Sequence, residues 1–168
     1  EERRTLLFSA TVPRAIEDLA REFQRDALRL QARGEARQHG DIAYRVLTVA
    51  PRDREGAIFN LLRLQDARAA LVFCRTRLGV SHLLARMGNR GVPVVALSGE
   101  LSQAERTHAL QALRDGRARV CVATDVAARG IDLPGLDLVI HADLPTNPET
   151  LLHRSGRTGR AGAKGISA

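Results

Sequence analysis

The sequence has no tryptophan and only five aromatic residues, Phe8, Phe23, Tyr44, Phe59 and Phe73, in 168. A platform that stacks nucleobases needs several exposed rings, so this supply argues against one. Lysine is almost absent too: Lys164 is the single lysine among 26 basic residues. It follows Ala163, so the phosphate-cradling pattern G-x-x-x-x-G-K-[ST] is missing. G-x-G-x-x-G is missing as well, because Gly156, Gly159 and Gly162 are spaced by three throughout. Any nucleotide must therefore meet side chains, and a dinucleotide-dependent oxidoreductase is excluded. The two cysteines, Cys74 and Cys121, each sit inside an apolar run. Their spacing fits neither a metal site nor a disulfide framework, and buried free thiols in a reducing cytoplasm are expected. No apolar run approaches the ~20 residues of a membrane span, so no membrane partner is expected. Glu1-Glu2-Arg3-Arg4 lacks both a signal layout and an initiator Met, so the chain is expected to begin partway through a longer one.

What is present is arginine and aliphatic bulk. The net charge is +7 and 44% of residues are apolar, enough for one full domain, or one domain with a fragment of another. A positive balance favours a polyanion, either nucleic acid or nucleotide phosphate. An arginine bias imposed by GC-rich coding is the bland alternative.

Organisation is by alternation. Runs rich in Val, Leu and Ile recur at 42–49, 69–73, 92–97, 118–122 and 136–141. Between them, Val80, Leu83, Leu84 and Met87 form one apolar stripe at helical spacing. Ile58, Leu61 and Leu62 predict a helix over 54–64, and Ala109, Leu110 and Leu113 one over 102–114. Strands alternating with helices imply an α/β fold: a three-layer α/β/α sandwich around a parallel sheet. Earlier, 5–8 reads as a strand, Ile16, Leu19, Ala20 and Phe23 as a helical stripe, and 28–31 as a further short strand. Residues 34–40, polar and glycine-bounded, read as a linker. It divides an N-terminal segment, 1–33, from a domain over 41–168.

The strongest local signal is His153-Arg154-Ser155-Gly156-Arg157-Thr158-Gly159-Arg160. Guanidinium groups suit phosphate, being planar, permanently charged and bidentate, and glycines between them allow close approach. A solvated basic turn would look the same in isolation. Thr124 and Asp125 fall just after a predicted strand, at the carboxyl edge where open parallel sheets bind ligands. Asp125 is equally well a helix cap there, and Asp132 an ordinary turn acid. Thr76 and Arg77 follow another strand, and Ser98-Gly99-Glu100 ends the next and leads to Gln103 and Arg106. Each feature alone is common; the succession of strand ends able to hold phosphate or ribose is not.

In order, Ser9-Ala10-Thr11, Phe73-Cys74-Arg75-Thr76-Arg77, Gln103-x-x-Arg106, the run from Ala123 to Asp132 and the run from His153 to Arg160 resemble motifs III to VI of DEAD-box RNA helicases of bacterial type. The resemblance spans essentially the whole chain. DNA-unwinding and DEAH-type relatives carry Gln where this chain has His153, which separates them. The resemblance implies a RecA-like, P-loop NTPase fold used as a C-terminal helicase domain (domain 2), with 1–33 the tail of helicase domain 1. It implies an ATP-dependent RNA helicase in which ATP and its Mg2+ are held mainly by domain 1. Arg157 and Arg160 then correspond to arginine fingers, and Asp132, with Gly130, to the ATP ribose contact. Thr76, Arg77, Gly99, Gln103, Arg106, Thr124 and Asp125 correspond to contacts with the RNA backbone. Ser9, Thr11, His153 and Arg154 correspond to groups that couple the two domains. Partners implied are RNA, read largely without regard to sequence, and domain 1. A non-enzymatic RNA-binding module on the same fold is the alternative from another class.

Overall fold

The computed structural model describes residues 6–8, 14–24, 27–30, 41–129, 133, 135–159 and 162–168. The chain divides into two compact units, residues 1–36 and 37–168. In the first, α1 spans Arg14–Phe23 and buries none of its residues. Leu19 and Phe23 on its apolar stripe are exposed, as are Leu6, Leu7, Phe8, Leu28 and Leu30. The expected strands at 5–8 and 28–31 are not seen among the described residues 6–8 and 27–30. An apolar run becomes a strand only when a neighbouring strand takes up its backbone hydrogen bonds.

The second unit is built on one parallel sheet of six strands. They are β1 (Ile42–Tyr44), β2 (Ala70–Phe73), β3 (Val94–Leu97), β4 (Val120–Ala123), β5 (Leu138–His141) and β6 (Gly165–Ser167). Their order is β1-β6-β5-β2-β4-β3. Between them run α2 (Arg54–Gln65), α3 (Arg77–Gly88), α4 (Gln103–Arg114), α5 (Asp125–Ala128) and α6 (Pro148–Ser155). Strand residues alternate strictly between two cores. Val72, Val122, Leu138 and Ile140 face Ile58, Leu61, Val80, Leu83 and Met87 of α2 and α3. Leu71, Phe73, Cys121 and Val139 face Ala112 and Leu113 of α4, with Ala127 and Ala128 of α5. This is the three-layer α/β/α sandwich that the alternation predicts. The central strand β2 is at most 2% exposed at every residue, which is why it reads as a continuous apolar run.

Strands are shorter than the apolar runs that announce them. Pro93 has no N–H to give, so β3 starts at Val94. β1 stops at Tyr44 because its only neighbour, β6, is three residues long, and the Arg45 N–H closes the ladder on the Ser167 carbonyl. α6 has no apolar stripe to predict it. It begins instead on local chemistry: Asn147 accepts the Thr150 N–H and Pro148 opens the first turn. Both cysteines are free and buried. Burial pushes their thiols up, Cys74 to about 11 and Cys121 to about 12, leaving them inert at neutral pH. Among the described residues, no helix is long and apolar enough to cross a membrane.

Candidate nucleotide and nucleic-acid interface

Strand β2 leads to α3 on one face of the sheet, while its neighbour β4 leads to α5 on the other. The carboxyl edge therefore opens between them, which is where parallel sheets receive ligands. Three helices start along this edge after β2, β3 and β4, and each start is capped by a hydroxyl. Thr76 accepts the Gly79 N–H at 3.0 Å. Ser102 accepts the Glu105 N–H while Glu105 takes the Ser102 N–H at 2.8 Å, a reciprocal capping box. Thr124, almost fully buried, accepts from Ala127. A cap of this kind satisfies the third helical amide and leaves the first two pointing outward. In α3 those are the amides of Arg77 and Leu78, and in α4 those of Gln103 and Ala104. The positive ends of two twelve-residue helices thus face the same edge.

Side chains across the edge are tied to one another. Arg77 Nη1 lies 2.6 Å from Glu100 Oε1, both side chains more than half exposed, so α3 is linked to the β3 end beside Gly99. A side chain at Gly99 would meet only the Arg77 guanidinium, 4.0 Å away, so the backbone there is open to close approach. Arg106 Nη2 donates to the carbonyl of Arg129 at 3.0 Å, which holds the end of α5 against α4. Thr76, Arg77, Gly99, Gln103, Arg106, Thr124 and Asp125 are thereby gathered at one edge.

Arg154 is the best-enclosed charge here, with its residue only 3% exposed. Its Nε and Nη2 donate to the two Asp125 oxygens at 2.6 and 2.8 Å, and Nη1 donates to the Asp143 carbonyl at 2.7 Å. The guanidinium also lies over the Phe73 ring, 4.9 Å from its centre. These hydrogen bonds hold the Asp125 carboxyl below its usual range, against the opposing effect of burial. Both residues are thus spent on joining α6 to the ends of β4 and β5. His153, by contrast, is exposed on α6. Arg157 is half-buried in the turn that follows, its N–H bonded to the Arg154 carbonyl at 3.1 Å.

The glycines of this segment have an unexpected use. Gly159 has φ +65°, and a Cβ there would stand 2.5 Å from Ile42 Cγ1. A Cβ on Gly165 would land on Thr158 Oγ1 and 2.6 Å from the Gly159 nitrogen. Thr158 in turn donates to the Leu136 carbonyl. At these two positions the close approach is to the domain's own backbone and β1. Ser9, Thr11, Gly130, Asp132 and Arg160 lie outside the described residues. Among the described residues, no cluster of three or more His, Cys, Asp or Glu side chains is arranged to hold a metal.

Two residues at the end of β5 were not candidates from the sequence. Asp143 takes Arg54 Nη1 at 2.8 Å and the Arg75 N–H at 2.9 Å on its two oxygens. His141 stacks on Phe73, with ring centres 6.3 Å apart. Its Nε2 bonds Ser167 Oγ at 2.9 Å, and Ser167 Oγ bonds Ser155 Oγ at 2.7 Å. The available signal was position alone: His141 ends β5 and Asp143 lies two residues beyond it.

Residues 53–162 match the family model described as helicase conserved C-terminal domain. The chain belongs to that family. It is 36% identical over 164 residues to the ATP-dependent RNA helicase DbpA of Bacillus subtilis, covering 98% of this chain and 34% of DbpA. It therefore spans about a third of the length of that relative. Among solved structures, Saccharomyces cerevisiae Dbp5 bound to RNA and ADP BeF3 superposes with a TM-score of 0.77. The identity is 30%, over 95% of this chain and 43% of that one. The Escherichia coli DEAD-box protein SrmB, bound to regulator of ribonuclease activity A, gives 0.68. There the identity is 38%, over 76% of this chain and 74% of that one. The helicase domain is thus of the DEAD-box type, with the RecA-like sandwich of these neighbours.

Proposed function

We propose that this domain is the C-terminal half of the motor of an ATP-dependent DEAD-box RNA helicase. In that reading it grips the RNA sugar-phosphate backbone and supplies arginines to ATP bound by a preceding domain 1. The observation that carries the RNA part is the pair of capped helix starts beside Gly99 and Arg77. Their leading amides and the Arg77 guanidinium suit phosphate oxygens and carry no base information. Gln103, Arg106 and Thr124 border this strip, while Arg106 and Asp125 also have the structural bonds described above. The relative Dbp5, solved with RNA, supports the assignment.

For the nucleotide, Arg157 and Arg160 are the proposed fingers, and Asp132 with Gly130 the proposed ribose contact. A finger works by placing fixed positive charge where negative charge develops on the transferring phosphoryl group. The magnesium that accompanies ATP would be held by domain 1, where it would supply charge neutralisation at the phosphates. This chain's part is to aim the fingers. The Arg154 clamp fixes α6, and the turn carrying Arg157 hangs from that helix. Hydrolysis would couple to strand separation through Ser9 and Thr11 of the domain 1 tail and through His153. Arg154, its donors spent within this domain, acts by holding the helix that carries His153.

The test uses the full-length protein. Arg157→Ala or Arg160→Ala is expected to cut RNA-stimulated ATP turnover by roughly 10³-fold or more. RNA affinity measured without nucleotide should change little. Equal losses in both would make the arginine cluster a plain basic patch and favour the non-enzymatic reading. The 168-residue chain alone should hydrolyse no ATP, because it has no phosphate-cradling loop.

A further inference from the structure

Away from the carboxyl edge, the opposite end of the sheet carries a hollow of about 620 Å³ between α2, the α3–β3 turn and the start of β4. Its floor is apolar: Leu62, Val92 and Pro93, with the Phe59 ring beneath. Arg63, Arg90 and Arg119 stand around it. The backbone here is well held. Val92 N–H returns to Met87 and Arg90 N–H to the same carbonyl, while the Pro93 carbonyl accepts from both Arg119 and Val120. A second hollow of about 510 Å³ shares Gly56, Asn60 and Arg90, and extends the groove toward Arg52 and Val49. The two run beside α2, whose twelve residues span about 18 Å. An extended peptide of about five or six residues covers that length.

The charges are unevenly committed. Glu55 is taken by His82 and Arg86, at 2.6 and 3.0 Å. Asp66 is taken by Arg119 at 3.0 Å, and Arg119 also donates to the Ala67 carbonyl. Among the described residues, Arg63 and Arg90 have no acidic partner. Arg90 instead stands over Phe59, its guanidinium carbon 4.0 Å from the ring centre. Two guanidiniums in want of counter-ions, over an apolar floor, are complementary to carboxylates flanking an aliphatic side chain. RNA fits less well, since the one ring in the groove is 7% exposed and covered by Arg90, leaving nothing for a base to stack on.

We propose that this groove docks an extended acidic peptide of a partner protein, with carboxylates on Arg63 and Arg90 and an aliphatic residue over Leu62, Val92 and Pro93. The site lies at the strand amino ends, across the sheet from the helix starts that face the proposed RNA strip. A partner seated there leaves the RNA strip uncovered, so binding at the two sites is compatible.

The probe is a fluorescein-labelled hexapeptide, Glu-Leu-Asp-Asp-Leu-Glu, titrated with the 168-residue chain. Saturable binding is expected, weakened at least tenfold by Arg63→Glu with Arg90→Glu. Gly56→Leu is the second variant. A Cβ at Gly56 meets nothing within 4 Å, so the side chain fills the groove without disturbing the core, and replacing a glycine in the first turn of α2 does not weaken the helix. It should abolish peptide binding while leaving the melting temperature equal or higher. Unchanged affinity in Gly56→Leu would overturn the proposal. So would equal binding of a peptide with serine in place of leucine, since that shows charge attraction alone. Displacement of the peptide by a single-stranded oligouridine would assign the groove to RNA instead. Absence of saturable binding overturns it outright.

Discussion

Arg154 and Asp125 form a two-pronged ion pair in which the burial is lopsided: the arginine side chain is 4% exposed and the carboxylate 36%. Losing the carboxylate charge strands a buried guanidinium, whereas losing the arginine leaves a carboxylate that water still reaches. Asp125→Asn is therefore expected to be the costlier change, roughly 3 kcal/mol, the lower end for breaking a buried pair. It also points an amide N–H at Arg154. Arg154→Met keeps most of the volume against Phe73 and removes the charge, so its cost should stay near 1–2 kcal/mol, about the scale of a volume-conserving swap. Urea unfolding of the 168-residue chain measures both. The opposite order would mean that the arginine's burial does not set the energetics of the pair.

Arg77 rests on Glu100 rather than standing free, and RNA phosphate would have to compete with that carboxylate. The pair is exposed, so it is worth about 0.2–1 kcal/mol. Glu100→Gln should therefore tighten single-stranded RNA binding by a small factor, about twofold to fivefold. Arg77→Ala should weaken it and reduce the slope of log affinity against log salt by about 0.7, one phosphate contact on a single strand. Fluorescence anisotropy across a salt series reads both changes. A salt slope unchanged in Arg77→Ala would remove that residue from the RNA strip.

Gly165 is predicted to be the least replaceable glycine among the described residues. Its missing Cβ makes room for Thr158 and the Gly159 nitrogen, and the latter is backbone that cannot swing aside. Gly165→Ala should cost at least the roughly 1–3 kcal/mol of ordinary overpacking. Gly88→Ala, with nothing within 4 Å of its Cβ and a place in α3, should be neutral or stabilising. Thermal melts of the two variants, compared with the parent chain, separate packing from a general dislike of substitution.

The sheet was legible in the sequence because β2, β4 and β5 are buried on both faces and must be apolar throughout, as Leu71, Val72, Cys121 and Val139 show. The helices α2, α3 and α4 were legible because each buries one stripe. α6 was not, since what it buries is Arg154 and Ser155. Strand-end hydroxyls were legible as a set, but Thr76 and Thr124 serve as caps, a role that depends on where a helix begins. The glycines of the arginine segment suggested ligand approach. For Gly159 the reason is instead Ile42, more than a hundred residues away, and such a contact leaves no local trace. His141 and Asp143 were missed for the same cause, since their partners Ser167, Arg54 and Arg75 come from other parts of the chain.

His141 is expected to set the acid limit of the domain. Burial lowers its pKa to about 4, with the nearby Arg154 charge acting in the same direction and Asp125 opposing. Its Nδ1 is enclosed and has no hydrogen-bond partner among the described residues, so protonation would bury an unpaired N–H. In the unfolded chain the same ring titrates near 6.5. Between these values the unfolded state binds more protons than the folded one, so stability rises with pH across that window. It is fully present above about 6.5 and is lost on acidification, with a limiting slope on the order of 1.4 kcal/mol per pH unit. The depressed Asp125 carboxyl adds a second loss, beginning only as pH falls toward its unfolded value near 3.8. His141→Phe keeps a ring stacked on Phe73 and removes the titration, so stability measured by urea unfolding should become nearly flat from pH 6.5 to about 5.5. That interval lies above the range where Glu55 and Glu105, held below 4.5 by their hydrogen bonds, begin to lose their contribution. A slope in that interval equal to the parent's would show that another group carries the acid sensitivity.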